Sequence, residues 1–370
     1  QNAQNLMAQQ QIKALLLTNR DDLLYFSGFY TLFWYSQTRP WYMVIPASGD
    51  PIAIIPDIGL PVMQKTWVKD IRTWSSPDEK MDGIDFVAEC LCEITQDHAQ
   101  IGLVKGRETS MRMPLCDFDL LKSLIKKRHF VDCMGIIRAL RIIKSEAEID
   151  KIAHICQIAS TAFDDYANLF NKGQPIADAF RAFKIKLLQL GADDVPYLAG
   201  GAGQKGYDDV ISLPTDKRLE TGDILMLDAG AIYHGYHCDF DRNFAIEKAH
   251  DTSKKMHETL YQATEAALNI ARPGTSSADL FYAMQHIIQQ NSTDQSNIGR
   301  MGHGLGIGLT EWPSHIDWDQ TILQENMVIT LEPSIVINGR MMVHEENLVI
   351  RDGYPQLLSK RTQRELPIIK

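Results

Sequence analysis

The hydrophobic pattern of the first 141 residues alternates between short apolar runs and stretches with helical spacing. The strand-like runs are 12–18, 24–29, 41–46, 51–56 and 101–104. Apolar side chains recur every three or four residues over 85–94 and 120–125, which predicts helices. Strands interleaved with helices predict an α/β domain with a mostly parallel or mixed sheet.

A domain boundary is predicted near residues 141–145. Ser145 and Glu148 form the sequence pattern of a capping box, which marks the start of a helix. Apolar residues at helical spacing follow from 149 to 163, and two further helical stretches cover 253–271 and 277–290. We therefore predict an N-terminal domain over 1–141 and a C-terminal domain over 142–370.

The second half also contains strand-like segments in pairs. The run 224–231 is followed by a turn at Gly235 and by a second run over 236–246, which predicts an antiparallel hairpin. A second pair, 327–337 and 341–350, is joined by Asn338-Gly339, a strong hairpin-turn signal. The C-terminal domain is therefore predicted to be α+β, with antiparallel sheet and helices.

Several acidic residues lie inside these apolar strands. Asp228, Glu332 and Glu345 each adjoin runs of aliphatic side chains. A buried carboxylate is costly unless a cation or several hydrogen-bond donors compensate it. One interpretation is pairing with Arg242, Arg340 and backbone donors. The other is a shared divalent cation, because hard cations take oxygen ligands.

Two further residues extend this set. Side chains alternate along a strand, so Asp239 and Asp241 are predicted to share one face, and Asp228 meets Asp239 if the hairpin register allows. His303 lies between glycines in GHGLG, and imidazole adds affinity for Mn, Fe, Co or Zn. Four carboxylates and one histidine suit a two-metal hydrolytic site.

Composition and charge exclude some functions. The formal net charge of −10 disfavours a nucleic-acid binder, and no apolar run is long enough to cross a membrane. The six cysteines are scattered, with no CxxC pair, which predicts reduced thiols. The segment QNAQNLMAQQQIK lacks the features of a secretory signal. A cytoplasmic location is expected.

The order and spacing of these residues resemble the pita-bread metallopeptidases, which include aminopeptidase P, prolidase, methionine aminopeptidase and creatinase. The matching segments are LDAG at 227–230, YHGYHCDFDR at 233–242, GHGLG at 302–306, TLEP at 330–333 and HEEN at 344–347. The segment DLLYFSGF at 22–29 is similar to the creatinase-type N-terminal domain. The resemblance covers nearly the whole chain and points to the aminopeptidase P and prolidase branch.

The resemblance implies a role for each metal ligand. Asp228 would chelate one ion, Asp239 and Glu345 would bridge both, and His303 and Glu332 would bind the other. Glu332 would also accept a proton as catalytic residue, while a metal-bound hydroxide attacks an amide carbonyl. The site would hold two divalent ions, which would be Mn, Co, Zn or Fe. The substrate would be a small peptide or another small molecule, and the protein would form a homodimer.

The chain departs from the family pattern around the predicted metal ligands. Ile211 and Thr310 occupy places where the peptidases usually carry histidines that bind substrate and stabilise the tetrahedral intermediate. Val343 replaces a common arginine, and Asp241 replaces a common threonine. Glu311 is a candidate to take over the catalytic role of the missing histidines. Asp241 makes the site more negative, which would favour a cationic substrate group.

These departures leave three functions open. The first is an Xaa-Pro aminopeptidase or Xaa-Pro dipeptidase, the second is a hydrolase or lyase acting on a small non-peptide substrate, and the third is a non-catalytic binding module. The intact ligands disfavour the third. Trp312 is a candidate wall of the substrate pocket. Arg39, in an aromatic N-terminal stretch, is a candidate partner for a substrate carboxylate.

Overall fold

A computed structural model describes residues 1–36, 38–292 and 299–370. The chain divides into two compact units, Gln1–Arg141 and Ile142–Lys370. None of the helices in the described residues is both long and apolar enough to cross a membrane. The α/β class predicted for the N-terminal part and the α+β class predicted for the C-terminal part are both confirmed.

The first unit has one mixed sheet flanked by helices. Its strands are β1 (Ile12–Leu17), β2 (Tyr42–Pro46), β3 (Ile52–Pro56), β4 (Asp70–Trp74), β5 (Gln100–Leu103) and β6 (His129–Asp132). Its helices are α1 (Asn2–Gln9), α2 (Arg20–Ser27), α3 (Leu60–Met63), α4 (Ile84–Ile94), α5 (Leu115–Ile125) and α6 (Met134–Arg141), with short 3₁₀ helices at Leu32–Tyr35 and Asp57–Gly59. The strand order is β4-β3-β2-β1-β5-β6, and each face of the sheet packs on its own apolar cluster.

One strand predicted in this unit is wrong. Residues 24–27 of this run belong to α2 (Arg20–Ser27), which is capped by Asn19 at its start and by Gly28 at its end. The Asn19 side chain accepts a hydrogen bond from the Asp22 backbone N–H, and acidic residues occupy the first helical turn. Both features are typical of a helix start, because the cap satisfies a backbone N–H and the acidic side chains interact favourably with the helix dipole. They outweigh the strand preference of the short apolar run.

The second unit contains antiparallel sheets covered by helices. Its strands are β7 (Asp194–Gln204), β8 (Asp223–Tyr233), β9 (Tyr236–His237), β10 (Phe240–Ile246), β11 (His303–Gly304), β12 (Glu311–Ser314), β13 (Val328–Leu331), β14 (Ser334–Ile337), β15 (Arg340–Val343), β16 (Glu346–Val349), β17 (Gln356–Leu357) and β18 (Ile368–Ile369). Its helices are α7 (Glu146–Asp164), α8 (Tyr166–Leu169), α9 (Ile176–Gln189), α10 (Asp251–Leu268) and α11 (Ser277–Asn291). The predicted capping box at Ser145 is present at the start of α7.

Two sheets of this unit position the candidate site. One has the order β18-β10-β8-β7, and the other has the order β12-β11-β13-β16-β17. Strand β8 is buried along nearly its whole length, because α7 packs on it and other strands flank it. A polar side chain on the middle of β8 is therefore withdrawn from water.

The second predicted hairpin is broken into two separate strand pairs. Strands β14 and β15 turn at Asn338-Gly339, where both residues have positive φ, as a type I′ turn requires. Strand β13 pairs with β16 in a different sheet. The two breaks fall at Glu332-Pro333 and at His344-Glu345. Proline has no N–H to give to a ladder, which explains the first break.

Candidate metal centre

The hairpin of β8 and β10 brings three carboxylates to one face of its sheet. Asp228 on β8 pairs in register with Asp241 on β10. Asp239 lies two residues before Asp241, so its side chain points to the same face. The register thus places Asp228 and Asp239 as diagonal cross-strand neighbours, within reach of one another.

Glu332 and Glu345 enter the same region from the second sheet. Leu331 on β13 pairs with Glu346 on β16. Glu332 comes directly after Leu331 and Glu345 directly before Glu346, so the two glutamates lie at the same end of this strand pair. Each lies at a point where the chain leaves the ladder. The break frees both side chains from the alternating pattern of a regular strand.

His303 is held in place by close backbone packing around its neighbours. Gly302 has φ of +121°, and a Cβ there would lie 2.4 Å from the Thr330 carbonyl oxygen. At Gly304 a Cβ would lie 1.9 Å from the Trp312 carbonyl oxygen. Only glycine fits these positions, and the Nδ1 atom of His303 lies 2.8 Å from the Gly304 carbonyl oxygen. If Nδ1 carries the proton in that hydrogen bond, Nε2 is left to accept or to bind a cation.

Three of the predicted ligands converge closely in the described residues. One ligand atom each from Asp239, His303 and Glu345 lies within 4.8 Å of the others. The His303 Nε2 atom is 3.4 Å from Asp239 Oδ2. Asp228 adjoins this group, and its Oδ2 accepts a hydrogen bond of 3.1 Å from the Tyr197 hydroxyl. Glu332 is half-buried at the edge of the cluster.

The electrostatics show that these carboxylates repel one another. Burial, followed by the charge of Asp239, raises the pKa of Asp228 well above its ordinary value. Burial also raises the pKa of Asp239 and Glu345, and Glu345 is affected further by Glu332. Burial raises the pKa of Glu332 to about 8, against the opposing effect of His303. The cluster needs positive charge to be ionised at neutral pH.

The donor set fits divalent cations. Asp228 Oδ1 and Glu345 Oε1 are buried and have no hydrogen-bond partner in the described part of the chain. Burial lowers the pKa of His303, which keeps the ring neutral as a metal ligand requires. Four carboxylates and one imidazole match the oxygen and nitrogen ligands of Mn, Fe, Co and Zn.

A hydrogen-bond network lies behind the ligands. The Asn347 Oδ1 atom accepts a 2.9 Å hydrogen bond from the Asp239 backbone N–H, and the Asn347 amide donates to the Asp239 carbonyl oxygen. Arg242 Nη1 donates to the Glu345 carbonyl oxygen at 2.8 Å, and Arg242 Nη2 donates to Glu346 at 2.9 Å. These contacts tie β10 to β16 and fix two ligands relative to each other.

Asp241 is buried within this face, 1% exposed. Its Oδ2 accepts a 2.8 Å hydrogen bond from Asn243, whereas its Oδ1 has no hydrogen-bond partner in the described residues. The arginines considered as its partners bind elsewhere, Arg242 to Glu346 and Arg340 to Asp208. Burial and the charge of Asp228 raise the pKa of Asp241. An arginine salt bridge therefore does not account for this residue.

The other candidate residues have distinct surroundings. Glu311 is buried and pairs with Lys144 at 2.9 Å, and its Oε1 accepts from the Gly308 backbone N–H. Thr310 is exposed, and its hydroxyl accepts from Arg300 at 3.4 Å. Trp312 is half-buried before a cis proline. The Arg39 guanidinium lies 5.3 Å from the centre of the Phe33 ring, in the first unit.

Sequence reasoning missed three residues that hold this site. Tyr197 binds Asp228, Lys144 binds Glu311, and the positive charge of Arg300 acts on Asp239, Glu332 and His303. The first two pair with residues 31 and 167 positions away, so no local pattern reveals them. Arg300 lies two residues before the GHGLG segment, and that proximity is the one available signal.

Comparison with known proteins assigns the family. The model of Metallopeptidase family M24 matches residues 150–352. The chain belongs to metallopeptidase family M24. The model of the Creatinase/Prolidase N-terminal domain matches residues 1–143. Each of the two units of this M24 protein therefore matches a family model. The resemblance inferred from the motifs is confirmed, and the M24 chain is a metal-dependent hydrolase.

The M24 relatives include proteins with named activities. The chain is 29% identical over 275 residues to an Xaa-Pro dipeptidase from Pyrococcus horikoshii. The aligned region covers 71% of this chain and 75% of the relative. The chain is 30% identical over 257 residues to an Xaa-Pro dipeptidase from Pyrococcus furiosus, covering 66% and 70%. The crystal structure of a prolidase from Thermococcus sibiricus has a TM-score of 0.89 at 22% identity, covering 99% and 97%.

Proposed function

We propose that this protein is an Xaa-Pro dipeptidase that uses two divalent metal ions. The observation that carries the proposal is the buried cluster of Asp239, His303 and Glu345, with Asp228 and Glu332 beside it. The similarity to two Xaa-Pro dipeptidases supports the substrate class. An Xaa-Pro aminopeptidase, which would need a longer peptide, is the nearest alternative.

The five residues would divide between the two ions. Asp228 would chelate one, His303 and Glu332 the other, and Asp239 and Glu345 would lie between them. When bound, the ions supply Lewis acidity to the scissile carbonyl and lower the pKa of water. The residues around them keep the ligands in position, because Tyr197 orients Asp228 and Asn347 holds the backbone of Asp239.

Glu332 is the residue proposed to move the proton. Its side chain is half-buried, whereas Glu345 is 1% exposed. With the cluster's charge compensated, the Glu332 carboxylate would accept a proton from the attacking water and pass it to the leaving amine. Glu311 is held by Lys144, and its catalytic role stays a prediction.

The test is an assay of the full chain loaded with Mn²⁺ or, separately, with Co²⁺. A panel of Xaa-Pro dipeptides is compared with Xaa-Pro-Yaa tripeptides, and Glu332→Ala is the control. We expect hydrolysis of the dipeptides and none in the control. Cleavage of tripeptides at least as fast as dipeptides would replace the dipeptidase with an aminopeptidase. Inactivity of a metal-loaded protein on both sets would reject the peptidase proposal.

Asp241 supports a second candidate, a small cationic non-peptide substrate handled by the same metals. Its buried Oδ1 has no hydrogen-bond partner in the described residues, and no arginine there forms an ion pair with the side chain. Asp241→Thr is expected to weaken binding of cationic substrates by about tenfold, the loss of one charged interaction. Asp241→Asn serves as the matched control for size. If the threonine variant turns over cationic and neutral compounds with unchanged KM, this candidate fails.

Several expectations from the sequence remain predictions. The identity of the ions, Mn, Co, Zn or Fe, is open to metal analysis of the purified protein. The homodimer is open to measurement by analytical ultracentrifugation. The cytoplasmic location and the roles of Thr310, Trp312 and Arg39 in substrate binding also stay predictions.

A further inference from the structure

A cavity in the first unit is lined by side chains that carry hydrogen-bond donors without an acceptor among the described residues. The cavity has a volume of about 210 Å³, and Arg20, Tyr30, Trp34, Tyr35 and Arg112 are among the residues that line it. Three nitrogen atoms of these side chains are buried without a hydrogen-bond partner in the described residues: Arg20 Nη2, Arg112 Nη1 and Trp34 Nε1. Buried polar atoms are rarely left unpaired, so three of them on the lining residues of one cavity call for an explanation.

The two arginines also lack a counter-charge. In the part of the chain that the structure describes, neither guanidinium forms an ion pair with a carboxylate. No Asp or Glu is among the residues that line the cavity. Burial lowers the pKa of Arg112, which shows that its charge is incompletely compensated. Two half-buried cations at one cavity are unfavourable unless an anion joins them.

Ring contacts hold both guanidinium groups in place. The Arg20 guanidinium carbon lies 5.6 Å from the centre of the Tyr30 ring, and that of Arg112 lies 5.3 Å from the Trp34 ring. Arg112 Nη2 additionally donates to the Ser36 carbonyl oxygen, which leaves Nη1 directed elsewhere. These contacts reduce the freedom that each side chain loses when it binds a ligand.

We propose that this cavity binds a small oxyanion, through a carboxylate or a phosphoryl group. Guanidinium and indole N–H groups donate and do not accept, so their complement is a group that only accepts. Arginine forks match the oxygen geometry of both groups. Leu32 is 64% exposed and Tyr35 is 69% exposed at the same place, which gives a ligand access from solvent. The proposal is independent of the metal centre, whose residues all belong to the second unit.

The test is a titration of the full chain with inorganic phosphate and, separately, with succinate, at constant ionic strength set by chloride. Tryptophan indoles labelled with ¹⁵N report the site directly, because Trp34 lines the cavity. Trp41 is the internal control, since its Nε1 is also buried without a partner in the described part of the chain, but Trp41 is not among the lining residues. We expect a saturable shift of the Trp34 indole resonance and little change at Trp41.

Matched variants assign the effect to the donors. Arg20→Gln and Arg112→Gln are each expected to weaken binding about tenfold or more, as loss of a charged hydrogen bond does. Trp34→Phe keeps a ring but removes the N–H, and a smaller loss is expected. Lys122→Gln is the control, because the Lys122 ammonium also lies over a ring in this unit, 4.9 Å from the centre of Phe118, but Lys122 is not a lining residue.

The outcomes separate the ligand classes. Binding of phosphate alone assigns a phosphoryl site, and binding of succinate alone assigns a carboxylate site. Arg112→Gln also loses the contact to Ser36, so Arg20→Gln, which removes no hydrogen bond among the described residues, decides if the first variant fails to fold. No saturable shift with either anion, or equal losses in Arg20→Gln and Lys122→Gln, would overturn the proposal.

Discussion

Asp239→Asn is expected to abolish binding of the divalent ions and to reduce hydrolysis about a thousandfold, because Lewis-acid stabilisation contributes several kcal/mol. Asp239 belongs to the tightest group of potential ligands in the described residues, and it is proposed to lie between both ions. Its amide analogue keeps the size but loses the charge. Metal content by elemental analysis and turnover of an Xaa-Pro dipeptide are the measurements. Asp208→Asn, an exposed aspartate paired with Arg340, is the matched control.

The pH dependence of thermal unfolding distinguishes an Asp239→Asn variant that has lost a metal ligand from one that has lost its fold. In the metal-free protein, the pKa of Glu332 is raised from 4.5 to about 8, and the pKa values of Asp228, Asp239 and Glu345 are raised as well. The folded state therefore holds more protons than the unfolded state in this window, and the free energy of unfolding falls as pH rises from 4.5 towards 8. The metal-free Asp239→Asn variant, with one charge fewer, is expected to melt above metal-free wild type at pH 8.

Two results would contradict this assignment. Asp239→Asn that keeps its full metal content and turnover would remove Asp239 from the ligand set. A metal-free wild type whose melting temperature rises between pH 4.5 and 8 would mean that the four carboxylates do not repel one another when ionised. Addition of divalent ions at pH 8 is expected to restore the stability of wild type, because binding to the folded state alone is stabilising.

The sequence predicts the elements whose periodicity is strong and local. The capping box at Ser145 marks the start of α7, and the Asn338-Gly339 turn joins β14 and β15 as expected. The helix α2 was missed, because a short apolar run does not distinguish a helix from a strand. The breaks after β13 and before β16 were also missed, since each apolar run continues beyond the break and only the three-dimensional ladder shows where pairing stops.

The candidate site divides in the same way. Asp228, Glu332 and Glu345 are detectable because an acid within an apolar strand is conspicuous, and His303 because its glycine neighbours are. The register that sets Asp228 opposite Asp241, rather than opposite Asp239, depends on the turn geometry and required the structure. The supporting contacts from Tyr197 and Lys144 join distant segments, and a single sequence carries no pattern for them.

Lys144→Met is expected to destabilise the second unit by about 3–5 kcal/mol, because it removes the positive charge that faces the buried Glu311 carboxylate. The Lys144 and Glu311 side chains are 2% and 3% exposed, and their charged atoms lie 2.9 Å apart. Lys144 also stands just before α7, and Glu311 is in β12, so the pair links two elements far apart in sequence. Thermal unfolding is the measurement, with a loss of roughly 10 °C expected.

The double variant Lys144→Met with Glu311→Gln is the control that identifies the cause. Removing the second charge takes away the uncompensated carboxylate, so most of the lost melting temperature is expected to return. The same protein tests the catalytic role predicted for Glu311. If the refolded, metal-loaded double variant hydrolyses Xaa-Pro dipeptides at the wild-type rate, Glu311 supports the loop through Gly308 and takes no part in the reaction. An unchanged melting temperature in Lys144→Met alone would show that the ion pair does not stabilise the fold.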